Sequence, residues 1–216
     1  MFQMWEAIDI AVYLILNGSV EQKGLWSEAA AFSNSKLYDK LSTLFLIIVL
    51  ASYCIFGRNG GWKKRLAAVI FIGLYMLITT LFRRQLGLFE IGRESPSLTD
   101  LPFIDLREMH PNIAPKTTSG SSFPGDHGIS CFILVAIFWY YAGWKWGTFS
   151  ALVTPLFVIP RMISGAHWLS DITVGAASYA LLIVVLALCT PLGAICCRNL
   201  EAGLLKIQTI AKKLTS

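Results

Sequence analysis

Five long apolar runs decide what this chain can fold into. They lie at residues 41–57, 66–83, 127–144, 147–163 and 171–196. Runs of roughly 17 to 25 apolar residues are the length that a helix needs to cross the hydrocarbon core of a membrane. Because lipid offers no hydrogen-bond partner to the backbone, each run is expected to be a helix. With 55% hydrophobic and 14% charged residues, the sequence predicts an all-α, polytopic transmembrane helix bundle.

The remaining segments divide the chain into regions. Residues 1–40 contain a short apolar stretch from Trp5 to Leu16, which predicts an N-terminal helix lying in the membrane interface. Residues 41–196 form the predicted transmembrane domain, and within it residues 93–126 are polar, rich in Pro, Ser, Thr and Gly, and without periodicity. Polar loops of this length are commonly functional. Residues 197–216 predict a basic, amphipathic tail on the cytoplasmic surface.

The basic residues of the short loops predict the orientation of the chain. Residues 57–65, between the first two runs, contain four cations and no acid. Cytoplasmic loops are enriched in lysine and arginine, so this hairpin is assigned to the cytoplasm. The end of the second run, the 93–126 loop and the segment before the fifth run then all face the other side. Three polar clusters are therefore expected to share one membrane surface.

Two histidine motifs occupy that surface. One reads Ser122-Phe-Pro-Gly-Asp-His127-Gly128, and the other has the pattern Arg161-x5-His167-x3-Asp171. His167 and Asp171 are four residues apart, so on a helix the carboxylate accepts the imidazole N–H and leaves the other nitrogen free to attack phosphorus. Arg161 offers a planar fork for phosphate oxygens, and His127 is suited to protonate a leaving oxygen. A His-x3-Asp pair seen alone also fits a helix cap or a local hydrogen bond.

Five further residues are candidates for phosphate binding. Gly125 allows a close turn, and the exposed amides beside Asp126, at the start of the third run, favour an anion. Arg93 and Lys116 add positive charge for a phosphoryl group in transfer, and Ser122 belongs to the same motif. No ligand cluster indicates a metal, so neither a metal nor another cofactor is expected. His110, the third histidine, is expected to be an exposed loop residue.

The order of these motifs resembles the type 2 phosphatidic acid phosphatase superfamily, integral membrane enzymes that act through a phosphohistidine. The resemblance implies that His167 is the nucleophile, with Asp171 as the motif's aspartate. It also implies that His127 is the general acid and Arg161 the phosphate-binding arginine. Because these relatives usually have six spans, the resemblance implies a bundle of five to six helices.

A narrower branch of that superfamily, the bacterial lipid A 1-diphosphate synthases, is similar to residues 80–185. The similarity rests on the sequence of the Ser122–Gly128 motif around His127, on Arg93-Glu-Ser-Pro-Ser-Leu-Thr99, and on the stretch from Pro160 to Trp168. It implies a phosphotransferase of the bacterial inner membrane that moves a phosphate from undecaprenyl diphosphate to the 1-phosphate of lipid A. Its site faces the periplasm, and its partners are these lipids rather than nucleic acid.

Two other functions remain open from the sequence. A hydrolase of the same fold, acting on undecaprenyl diphosphate or another lipid phosphate, uses the same histidines with water as the acceptor. A non-enzymatic lipid transporter or scaffold binds headgroups through the same basic residues. Transporters commonly show inverted repeats and interrupted helices, and this sequence shows neither. Replacing His167 distinguishes these functions, because the change is expected to stop an enzyme that acts through a phosphohistidine but to leave lipid binding or transport largely intact.

Overall fold

Helices account for the regular structure in the residues that the computed structural model describes, which are 2–58, 60–86 and 91–215. This confirms the predicted all-α class. The helices are α1 (Phe2–Gly18), α2 (Leu25–Phe32), α3 (Lys36–Phe56), α4 (Trp62–Leu86), α5 (Leu106–Met109), α6 (Asp126–Ala142), α7 (Trp144–Ile163), α8 (Asp171–Leu188) and α9 (Pro191–Thr215). The first segment of α8, Asp171–Ala176, is π-helical, and a short 3₁₀ turn at Pro96–Leu98 lies in the loop before α5.

Three helices in the described ranges, α3, α7 and α8, are long and apolar enough to cross a membrane. Helix α6 is also apolar but has 17 residues, and α4 contains the second predicted run. The fifth predicted run, 171–196, is not one helix. It is interrupted after Leu188, and α9 starts at Pro191, because proline lacks an N–H and is favoured at the first position of a new helix.

Helix α6 lies at the centre of the bundle and packs against α4, α7 and α8. Its buried side chains are Ile129, Ile133, Ile137 and Phe138, which meet Tyr53, Ile72 and Tyr179 from three other helices. Since lipid is as apolar as these side chains, packing and interhelical hydrogen bonds hold such a bundle together. Tyrosine hydroxyls supply these bonds: Tyr53 donates to the carbonyl of Tyr141 at 3.0 Å, and Tyr179 donates to that of Thr79 at 3.1 Å.

Helices α6 and α7 form an antiparallel hairpin with a single connecting residue, Gly143. Its φ of 90° is a conformation that glycine adopts without strain. The helices approach closely at Gly147, where a Cβ would lie 2.8 Å from atoms of Trp139. This hairpin brings the start of α6, with His127, beside the end of α7, with Arg161. Two motifs that are distant in sequence therefore meet at one end of the bundle.

Helix α1 docks on the same end of the bundle through polar side chains. The Tyr13 hydroxyl donates to the carbonyl of Pro102 at 3.0 Å. The Asn17 side chain donates to the carbonyl of Ile163 at 3.0 Å and accepts from the N–H of Ile104 at 2.9 Å. The N-terminal helix is therefore attached to the protein surface that carries the histidine motifs.

Helix α9 continues from the bundle to the end of the described chain and packs along α4 and α8. Cys196, Cys197 and Leu200 contact the core cluster, whereas Leu205 and Ile207 are exposed. The helix thus has one face on the protein and another, apolar one on its surroundings, which fits a helix lying at a membrane surface. The tail predicted to begin at residue 197 is the continuation of this helix.

Candidate active site

His167 lies in the turn between α7 and α8 and is held by a backbone carbonyl. Its Nδ1 is 2.8 Å from the carbonyl oxygen of Ser122. Because a carbonyl can only accept a hydrogen bond, Nδ1 carries the proton, and the lone pair of the ring is on Nε2. This tautomer is the one that a phosphorus-attacking imidazole needs. The ring is buried, so its orientation is fixed before a substrate arrives.

Asp171, the first residue of α8, is fully buried and accepts two hydrogen bonds. Its Oδ2 accepts from the N–H of Trp168 at 2.8 Å, and its Oδ1 accepts from Arg93 at 3.2 Å. The same Oδ2 lies 3.6 Å from Nδ1 of His167. Asp171 therefore closes the turn that holds His167, while the Ser122 carbonyl is the nearer partner of the ring. Direct orientation of His167 by Asp171 stays a prediction.

Arg161, near the end of α7, is almost completely buried, with 3% of its side chain exposed. It donates to Oδ1 of Asn34 at 3.2 Å and to Oδ1 of Asp39, and it contacts Nε2 of His127 at 3.0 Å. Because a guanidinium can only donate, Nε2 of His127 accepts here. Oδ1 of Asp39 is 3.5 Å from the same nitrogen and is placed to stabilise the ring once it is protonated. The predicted acid therefore lies between a cation and a carboxylate.

Arg93 is fixed on the other side of the site. Its Nη1 donates to Oγ of Ser170 at 2.6 Å and to Oδ1 of Asp171 at 3.2 Å, and its Nη2 donates to Oδ2 of Asp9 at 2.8 Å. The guanidinium carbon also lies 4.9 Å from the ring centroid of Trp168. These bonds occupy three of the five N–H groups of an arginine. The side chain is 28% exposed, so it retains donors for a phosphate oxygen.

The structure gives Ser122 and Gly125 a positioning role. The Ser122 N–H and hydroxyl donate to the carbonyl of Arg93 at 2.7 and 3.1 Å. The Gly125 N–H donates to the carbonyl of Asp171 at 3.1 Å. These donors are engaged inside the protein, because a turn buried against His167 must satisfy its own polar groups. Contact of Ser122 or Gly125 with phosphate stays a prediction.

Two other predicted phosphate-binding residues lie at the edges of the site. Asp126 is the first residue of α6 and is half-buried. The Lys116 side chain is exposed, while its N–H donates to the carbonyl of Asn34 at 2.9 Å. Contact of either side chain with phosphate stays a prediction. His110, expected to be exposed, is half-buried and contacts the hydroxyl of Ser27 at 2.9 Å, away from these residues.

Three residues of the site lie outside the two histidine motifs and were not predicted from the sequence. Asp9, Asn34 and Asp39 lie on or beside the N-terminal helices, and each contacts one of the two arginines. Polar side chains in predominantly apolar helices are costly and commonly functional. Asp9, which stands between Ile8 and Ile10, carries that signal in the sequence.

A cavity of about 320 Å³ opens beside His127, Asp39 and Asp126 and extends between α3, α6 and α7. Leu46, Leu134, Val153 and Phe157 are among the residues that line it. The hydroxyls of Ser150 and Thr154, also in the lining, donate to carbonyls of their own helix at 2.9 and 3.0 Å. The wall is therefore mainly apolar, and the cavity leads from His127 into the membrane-spanning part of the bundle.

Replacing Gly125 with alanine is expected to lower turnover by about 10- to 100-fold. The added Cβ would lie 2.4 Å from Cδ1 of Ile172 and 3.7 Å from Nδ1 of His167. Because Ile172 is buried, with 4% of its surface exposed, its methyl group has little room to move aside. Part of the displacement is therefore expected to fall on the turn and on the Ser122 carbonyl that holds His167. Steady-state turnover of a lipid phosphate in detergent measures the effect.

Gly120→Ala is the matched control, since nothing lies within 4 Å of a Cβ at that position. It is expected to leave turnover unchanged. Equal turnover for the two alanine variants would contradict the role of this turn in holding His167.

The model of the PAP2 superfamily matches residues 97–193, a range that contains His127, Arg161, His167 and Asp171. The chain is 31% identical over 192 residues to the lipid A 1-diphosphate synthase of Escherichia coli (strain K12), and the alignment covers 87% of this chain and 78% of that protein. No solved structure matches.

Proposed function

Because this chain belongs to the PAP2 superfamily, we propose that it is a phosphotransferase acting on membrane lipids through a phosphohistidine. The donor is undecaprenyl diphosphate, the acceptor is the 1-phosphate of lipid A, and the product is lipid A 1-diphosphate. The observation that carries this proposal is the Ser122 carbonyl at Nδ1 of His167, which leaves the lone pair on Nε2 as the nucleophile.

The first step forms a bond between Nε2 of His167 and the terminal phosphorus of the donor. The bond from that phosphorus to the bridging oxygen breaks, and its electron pair remains on the oxygen of the departing undecaprenyl phosphate. His127, in its protonated form, supplies the proton to this oxygen. Arg161 and Arg93 stabilise the charge on the equatorial phosphate oxygens.

The second step regenerates the free side chain of His167. An oxygen of the lipid A 1-phosphate attacks the phosphorus, the N–P bond breaks, and its electron pair returns to Nε2 of His167. His127 is placed to accept a proton from the attacking group, as the reverse of its first role requires. The net reaction moves one phosphoryl group from one lipid diphosphate to another lipid phosphate and needs no cofactor.

The lipid nature of the substrate is supported by the cavity beside His127. Since His127 protonates the oxygen of the departing lipid, a mainly apolar cavity that opens at this residue suits the chain of the donor. The cavity lies between helices α3, α6 and α7, two of which are long and apolar enough to cross a membrane. A water-soluble phosphate ester would leave this surface without a partner.

We place the reaction at the periplasmic face of the bacterial inner membrane. Asp39 belongs to the first turn of α3, at the site, whereas the basic hairpin of residues 57–65 follows the other end of the same helix. The hairpin is assigned to the cytoplasm by its lysines and arginines. The site then opens on the side where undecaprenyl diphosphate and lipid A are both expected in the outer leaflet.

The test uses purified protein in detergent with undecaprenyl diphosphate labelled in its terminal phosphate. Label is expected on lipid A 1-diphosphate when lipid A with a 1-phosphate is present, and on the protein as phosphohistidine when it is absent. Release of label only as free phosphate in both reactions would overturn the transferase in favour of a hydrolase. Donor binding with neither release nor transfer would overturn the enzyme in favour of a lipid-binding protein.

A further inference from the structure

The N-terminal helix supplies a carboxylate to the site, and we propose that this residue, Asp9, is a positioning residue for the reaction. It acts through Arg93, which the proposed function places on the phosphate oxygens, so the inference rests on that function. Asp9 lies outside both histidine motifs and outside the range that the PAP2 model matches. Its part in the reaction follows from where α1 docks.

Three hydrogen bonds surround the carboxylate of Asp9. Oδ1 accepts from the N–H of Ser170 at 2.8 Å. Oδ2 accepts from the Ser170 hydroxyl, and it also accepts from Nη2 of Arg93, at 2.8 Å. Only 1% of the side chain is exposed. A charge buried to this degree is retained only where it is paired and fully hydrogen-bonded, and here its one cationic partner is Arg93 within the described structure.

The geometry fixes both ends of the Arg93 guanidinium. Nη1 is bound by Ser170 and Asp171, and Nη2 is bound by Asp9. A free arginine side chain loses rotamer entropy when it is ordered. Two carboxylates on either side of the fork order it before the substrate arrives, so a phosphate meets a guanidinium that is already in place. Such preorganisation strengthens transition-state stabilisation.

Asp9 also ties α1 to the turn that carries the nucleophile. Ser170 directly precedes Asp171 and lies three residues after His167, and both of its donors are bound by Asp9. Docking of α1 has separate supports, since Tyr13 and Asn17 bind backbone carbonyls elsewhere. A buried carboxylate is therefore not needed to attach the helix, and its specific effect is on Arg93 and on the Ser170 turn.

The experiment replaces Asp9 with asparagine, which has the same shape but one acceptor oxygen in place of two. Turnover of the labelled lipid diphosphate is expected to fall about 10- to 100-fold. The loss is expected mainly in kcat, with KM changed by less than about threefold, because the charge that Arg93 stabilises is greatest in the transition state. The melting temperature in detergent is measured alongside.

Two controls lie on the same helix. Glu6→Gln removes an exposed carboxylate one turn away and is expected to leave kcat unchanged. Asn17→Ala removes hydrogen bonds that help to dock α1 and is expected to lower the melting temperature while kcat stays close to the wild-type value. A fall in kcat of the same size in Asn17→Ala and Asp9→Asn would overturn the proposal, because it would show that attachment of the helix is what matters.

A double-mutant cycle tests whether Asp9 acts through Arg93. In an Arg93→Gln background, adding Asp9→Asn is expected to change kcat by at most about twofold; multiplication of the two separate losses would overturn the proposal. Ser170→Ala is a milder second test, expected to lower kcat about threefold, and an unchanged kcat there contradicts the proposal. Failure of the proposed function would appear differently, as wild-type protein that releases label only as free phosphate or moves no label at all.

Discussion

His167→Ala is expected to lower phosphate transfer by at least about 10⁴-fold. The variant removes the only group that the proposal assigns to forming a bond with phosphorus, and neighbouring arginines cannot replace a nucleophile. Because the ring is buried and held by one hydrogen bond from Nδ1, the fold should survive its loss. The measurement is transfer of labelled phosphate together with the amount of label bound to denatured protein, and both are expected to vanish.

His110→Ala is the matched control, since it removes the same chemical group from a position that contacts Ser27 away from the site. It is expected to keep wild-type transfer and wild-type protein labelling. Protein that still carries acid-labile, base-stable label after loss of His167 would show that the nucleophile has been misassigned. In that case His127, the other histidine of the site, becomes the residue to replace.

Arg161→Lys is expected to lower kcat by about 10²- to 10³-fold, although it conserves the charge. The guanidinium donates to Asn34 and Asp39 and also contacts His127. A lysine ammonium cannot reproduce a planar fork with separate partners, so phosphate binding and the position of His127 are expected to change together. Burst measurements with labelled donor separate formation of the phosphohistidine from its breakdown.

The matched control for this change is Arg107→Lys. Arg107 is an exposed arginine that pairs with the nearby Asp105, at 3.2 Å, so the same substitution is expected to leave kcat and the melting temperature unchanged. Wild-type kcat in Arg161→Lys would be incompatible with bidentate phosphate recognition. A lowered melting temperature without a change in kcat would assign Arg161 to the fold alone.

The proximity of the two histidine motifs could be predicted from the sequence. The residues of each histidine motif are recognised by their spacing in the sequence. The positive-inside pattern predicts that both motifs lie at one membrane surface. The α6–α7 hairpin then brings His127 and Arg161 within 3.0 Å. This much follows from short-range patterns, because the spacing of charged and small residues around a histidine reflects local turns.

The parts that could not be predicted depend on contacts between distant segments or on backbone atoms. Asp9 and Asp39 reach the arginines only because α1 and α3 dock beside α7, and no spacing rule joins residues so far apart. The Ser122 carbonyl is nearer to His167 than Asp171 is, at 2.8 against 3.6 Å. Every residue has a carbonyl, so the sequence contains no sign of which one holds the ring.

The predicted end of the fifth apolar run was wrong, because the hydropathy of the sequence continues across a break between two helices. The apolar character extends past Leu188, and the run therefore appeared to be one long span to residue 196. Pro191 begins a new helix instead, since the first position of a helix does not require the N–H that proline lacks. The new helix, α9, packs along α4.

The one-residue connection at Gly143 has a consequence for how this enzyme can vary among its relatives. A residue inserted in α6 or α7 would rotate everything beyond it by about 100° and shift it by about 1.5 Å along the axis, which would separate His127 from Arg161. Insertions and deletions are therefore expected to be absent from these two helices. They are expected instead in the loop that leads into Ser122, because helix register does not fix the position of the site residues there.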